Sequence, residues 1–158
     1  MELLFPLENS KDIFMIDFDI YLENNIIVGG LNFQICYSID GIIDYNNSLV
    51  INEDLFSLIQ EDFSRCYYDD KDKYQFYHWE HNFHNKQDIV NTSLRLKNRI
   101  SFIKEDKIKD LNYYWLSDDQ LVFLEKNKID FILSINKVIE FINNSCAKDY
   151  DGIYVIGV

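Results

Sequence analysis

The sequence predicts an α+β fold, a mainly antiparallel sheet of meander and hairpins with two helices packed on one face. Three observations predict it. Apolar and polar residues alternate with a period of two between Phe14 and Ile39, the pattern of strands with one wet face. Two later stretches carry apolar residues at helical spacing. Runs of strands outnumber the helices between them, which favours helices gathered on one side of a sheet. One domain is expected over residues 1–158.

The first strand is Phe14 to Leu22, with Phe14, Ile16, Phe18, Ile20 and Leu22 on one face and Met15, Asp17, Asp19 and Tyr21 on the other. Asn24-Asn25 forms a tight turn, since Asn tolerates positive φ. The chain returns through Ile26 to Val28, and Gly29-Gly30 marks a bulge or bend. Leu31, Phe33, Ile35, Tyr37 and Ile39 resume the alternation up to a second turn at Asp40-Gly41. Asn52 caps a helix at about residues 53–67, with Glu53 and Asp54 at its positive end and a stripe of Leu55, Leu58, Ile59, Phe63 and Cys66.

Tyr68 to Lys73 reads as an acidic loop, Tyr74 to Trp79 as a strand and His81 to Asp88 as a loop. Ile89–Leu96 and Arg99–Ile103 read as a hairpin around Lys97-Asn98. Leu111–Leu116 and Leu121–Leu124 read as another around Asp118-Asp119. Ile129–Leu133 fits a strand or the start of the next helix. Ser134 caps a helix whose stripe is Ile135, Val138, Ile139 and Ile142, stopped by Asn143-Asn144. Ile153 to Ile156 closes the chain as a short strand.

Composition narrows the function classes. Apolar residues at 47% and aromatics at 16% suit a packed core rather than a disordered chain. The net charge of -12 repels nucleic acid and anionic membranes and attracts basic partners. No basic, apolar leader opens the chain and no apolar run is long enough to span a bilayer, so a cytoplasmic protein is expected. Cys36, Cys66 and Cys146 are odd in number and far apart, which fits reduced apolar fillers rather than a disulfide framework or a zinc site.

Catalytic signals are sparse. His78, His81 and His84 flank Glu80, and three imidazoles can hold a zinc ion with Glu80 as general base. Residues three apart on a strand point to opposite faces, however, and neither the His-Glu-x-x-His motif nor its inverse is present. No Gly-x-Ser-x-Gly elbow, P-loop or calcium loop occurs. Asp17 and Asp19 share a strand face, where solvation explains them better than a glycosidase pair does. No catalytic residue, metal ligand or cofactor is assigned on these grounds.

The aromatic residues form two clusters beside acids. Tyr67, Tyr68 and Trp79 flank Asp69, Asp70 and Asp72. Tyr114 and Trp115 precede Asp118 and Asp119. Tyr and Trp give contact area with few rotatable bonds, and carboxylates beside them complement a basic surface. Core filling and loop solvation are the structural alternative. A small, acidic, aromatic-rich chain without a catalytic signature is similar in composition to the bacterial immunity proteins that neutralise toxins. The expected function is therefore an acidic protein-binding inhibitor. It would be an immunity protein that occludes the substrate groove of a basic, toxin-like protein such as a nuclease, with no direct binding to nucleic acid or membrane. The alternatives are a zinc enzyme at His78, His81 and His84, a nucleic-acid-mimicking phage-type inhibitor, and a structural subunit.

Overall fold

The computed structural model describes residues 15–64 and 80–158. In chain order these form β1 (Ile20–Glu23), β2 (Asn32–Ile39), β3 (Ile42–Asn52), α1 (Glu53–Ser57), β4 (His81–Asn85), α2 (Lys86–Lys104), α3 (Asp118–Lys126), α4 (Lys128–Ala147) and β5 (Gly152–Gly157). Single 3-10 turns occupy Gln60–Phe63 and Ile108–Asp110. The strands make one sheet in the order β1-β3-β2-β5-β4, and every neighbouring pair is antiparallel. The α+β class is as the sequence predicts. The expected strand at Tyr74–Trp79 lies outside the described residues.

The β2–β3 hairpin turns at Asp40 (φ 51°) and Gly41 (φ 75°), the left-handed pair that an Asp-Gly turn supplies. β1 departs from the expected meander. It pairs with β3 rather than β2, and its ladder covers only Ile20–Glu23. Upstream, the Asp17 carbonyl accepts from Asn52 Nδ2 at 2.6 Å and the Phe18 carbonyl from the Ser134 hydroxyl at 2.8 Å, so side chains replace a ladder there. The connection after β1 is a loop tied down by the buried Gln34. Gln34 Nε2 donates to the Asn25 carbonyl and to Ser48 Oγ, and Oε1 accepts from the Ile27 amide. A polar side chain on a nominally apolar strand thus redirects the chain.

The expected helix at 53–67 is broken. Asn52 does cap α1, accepting from the Leu55 amide at 2.9 Å. The helix ends at Ser57 and the 3-10 turn that follows carries Asp62 inward. The expected hairpin at 89–103 is instead the 19-residue helix α2, begun by a reciprocal capping box of Asn85 and Asp88. Its buried face runs Ile89, Thr92, Ser93, Leu96, Arg99, Ile100 and Ile103. The spacing is helical, but polar side chains at three of those positions hide it from a count of apolar residues. The second expected hairpin, Leu111–Leu116 with Leu121–Leu124, is instead a loop and α3, which Ser117 and Gln120 begin with another capping box. His81–Asn85, expected as loop, is the edge strand β4.

α4 runs unbroken from Lys128 to Ala147, and Ser134 lies buried within it rather than capping it. One face of the sheet, with Ile35, Tyr37, Leu49, Ile51, Ile153 and Val155, joins a single core with Leu96 and Ile103 of α2 and Phe131, Val138 and Ile142 of α4. Tyr37 stacks on Phe141 at 4.5 Å and donates its hydroxyl hydrogen to that residue's carbonyl, pinning α4 to the sheet. Gly152 is required where β5 meets β4, because a Cβ there would lie 2.2 Å from the His84 carbonyl oxygen. No helix among the described residues is long and apolar enough to cross a membrane.

Candidate functional site

The surface around Tyr114 and Trp115 is built on a buried ion pair. Asp62 comes from the 3-10 turn after α1, Arg99 from α2 and Tyr113 from the loop before α3. Arg99 Nε donates to Asp62 Oδ2 at 2.5 Å and Nη2 to Oδ1 at 3.1 Å, a bidentate fork. Arg99 Nη1 donates to the Tyr113 hydroxyl at 2.9 Å, which itself donates to the Leu58 carbonyl at 2.8 Å. All three residues are at most 7% exposed. Burial pushes the Tyr113 phenol up to about 12. The Asp62 hydrogen bond holds the Arg99 guanidinium charged against its own desolvation. Arg95 adds a brace, donating to the carbonyls of Asp62 at 2.9 Å and Ser64 at 3.0 Å. Such a pair adds little net stability, but it fixes geometry because every partner is directional.

What it fixes is a rigid turn, closed by the Leu116 amide donating to the Tyr113 carbonyl at 3.1 Å. Tyr113 faces inward, while Tyr114 is 85% and Trp115 is 49% exposed. Trp115 stands edge-on to both tyrosines, at 5.7 Å from Tyr113 and 5.3 Å from Tyr114. Glu61 and Gln60 line one depression of about 430 Å³ with the two exposed aromatics. Asp54, Ser57 and Gln120 line a smaller one, about 130 Å³, on the other side of Trp115. Asp118 and Asp119 are exposed in the first turn of α3, directly after the Ser117 cap, where the helix dipole also favours them.

Of the residues singled out in the sequence, Tyr114 and Trp115 line one depression, and Asp118 and Asp119 are exposed three and four positions further on, in the first turn of α3. Tyr67, Tyr68, Asp69, Asp70, Asp72 and Trp79 lie outside the described residues, as do His78 and Cys66. The sequence reading missed Asp54 and Glu61, because both were placed as ordinary members of one helix. It also missed the Asp62–Arg99 pair, whose partners stand 37 positions apart.

The other candidates resolve differently. His81 is exposed and His84 fully buried, on opposite faces of β4, so the two do not converge on one ion. His84 Nε2 lies 2.6 Å from the Phe63 carbonyl oxygen. Among the described residues no group of three His, Cys, Asp or Glu side chains is placed to hold a metal. Cys36 is buried, its thiol pushed up to about 12 by burial. Cys146, expected as an apolar filler, is exposed at the end of α4. Compared with protein-family models, curated proteins and solved structures, the chain gives no match. The fold and site define a class only: an α+β protein presenting two exposed aromatic residues on a turn anchored by a buried ion pair.

Proposed function

We propose that this protein is a protein-binding inhibitor, of the kind exemplified by immunity proteins, that occludes the substrate groove of a basic protein such as a nuclease toxin. The observation that carries this reading is the exposure of Tyr114 and Trp115 on a turn held by a buried, fully hydrogen-bonded Arg99–Tyr113–Asp62 network. A solvent-facing Trp on a rigid turn gains contact area on binding without losing much conformational freedom. Carboxylates of Asp54 and Glu61 line the depressions beside it, those of Asp118 and Asp119 follow in the first turn of α3, and all four complement Lys and Arg of a partner. The net charge of -12 speeds encounter with a basic target, and Asp69, Asp70 and Asp72 contribute to that charge.

The test is affinity capture from the native host, with the wild-type chain and Tyr114→Ala/Trp115→Ala immobilised side by side at low and high salt. The reading predicts a basic protein retained by the wild type, released by salt and lost from the double variant, whose own enzymatic activity the free wild-type chain inhibits at equimolar ratio. Equal retention by the double variant removes this surface from the interface. A captured protein whose activity is untouched removes the inhibitor role.

A further inference from the structure

A second surface lies at the end of the sheet order where β1 forms an edge. Among the described residues, no strand pairs with its outer side. In an antiparallel strand every second residue turns its N–H and C=O away from its neighbour, so part of β1 offers backbone hydrogen bonds to an incoming strand. A trough runs beside it, between the 15–22 segment and α4. Its larger part holds about 740 Å³ and its smaller about 330 Å³, and Lys137 and Glu140 line both. Met15, Leu22 and Leu133 are 69%, 65% and 54% exposed along it, an apolar lining left in water. Asp17, Asp19, Asp130 and Glu140 stand on its walls, and among the described residues Lys137 is the one cation that lines it.

We propose that the β1 edge and this trough accept an extended strand of a partner protein in which lysine or arginine alternates with apolar side chains. The register fixes why alternation is needed. Ile20 and Leu22 face the helices, in line with Ile51 and Leu49 of the core, while Tyr21 and Glu23 face the other side. A strand laid against β1 therefore sends every second side chain over Leu22 and Phe141 and the rest past Tyr21 and Glu23. Long basic side chains lay their stems on the apolar lining and bring their charges to the carboxylates. The same carboxylates repel a second copy of this chain, whose net charge is -12. Neither Tyr114 nor Trp115 lines this trough, although Ile16 lines both it and the depression beside Trp115.

The test uses a short, capped, fluorescently labelled peptide of alternating lysine and valine, titrated with the full chain and followed by anisotropy. The glutamate–valine counterpart is the control. The lysine peptide should bind, the glutamate peptide should not, and Asp19→Lys/Glu140→Lys should weaken binding about tenfold or more. Hydrogen exchange at the amides of Ile20–Glu23 should slow when the lysine peptide is added, and Tyr114→Ala/Trp115→Ala should leave its affinity unchanged. Absence of binding, binding indifferent to the charge reversal, or binding without protection at β1 would each overturn the proposal. A wild-type chain that self-associates through β1 would place a second copy on the edge and overturn it too.

Discussion

Arg99 and Asp62 depend on one another in a way that mutation can separate. Arg99→Met keeps the side-chain volume but leaves the Asp62 carboxylate buried without its fork. The expected loss is about 3–5 kcal/mol in urea unfolding, because an unpaired buried charge keeps its desolvation cost. Arg99→Met/Asp62→Leu should recover most of that loss, and a double variant as unstable as the single one would contradict the account. Gly152→Ala acts by sterics alone. Its Cβ would meet the His84 carbonyl oxygen at 2.2 Å and the Phe83 ring at 2.8 Å, so β4 and β5 must separate. The expected destabilisation is about 1–3 kcal/mol, and an unchanged melting temperature would show that the two strands do not pack as described.

At the scale of elements, Ser117→Ala removes the cap that starts α3 immediately after the Tyr114–Trp115 turn. It should lower stability by about 1 kcal/mol and weaken partner binding further, through loosening of the turn. β2 was legible where period-two alternation ran into the Asp40-Gly41 turn, and β5 as a short apolar run after Asp151-Gly152, whereas β3, at Ile42–Asn52, was not picked out. α4 was legible from Ile135 onward for the same kind of reason. α2 was not, because Thr92, Ser93 and Arg99 occupy its buried face and interrupt the apolar stripe. The pairing of β1 with β3 was not legible either. It follows from Gln34, Ser48 and Asn52 bonding to backbone groups up to 35 positions away, which local pattern does not encode. At the site, Tyr114, Trp115, Asp118 and Asp119 were visible as an aromatic–acidic cluster. Glu61 and Asp54 were not, since only the fold carries them to the same surface.

At the scale of the whole molecule, the buried weak acids set the alkaline limit of stability. The Cys36 thiol is raised from 9.0 to about 12 and the Tyr113 phenol from 10.0 to about 12, both chiefly by burial. Well below pH 9.0 both groups are protonated in the folded and unfolded chain and their contribution is constant. Above that, the unfolded chain releases its protons first, so stability falls from pH 9.0 upward and continues to fall through about pH 12. Cys36→Ala should flatten the part of the slope between 9.0 and 10.0, where Tyr113 contributes less than the thiol does. Melting temperatures across that range check it.

Under the proposed inhibitor function, charge governs encounter and Tyr114 and Trp115 govern release. The most direct measurement is rapid mixing of the captured basic partner with the wild-type chain, Asp118→Lys/Asp119→Lys and Tyr114→Ala/Trp115→Ala over a range of salt. The account predicts slower association and a shallower salt dependence for the charge reversal, and faster dissociation with little change in association for the aromatic variant. Rates unchanged in both variants would contradict it and move the interface away from this surface.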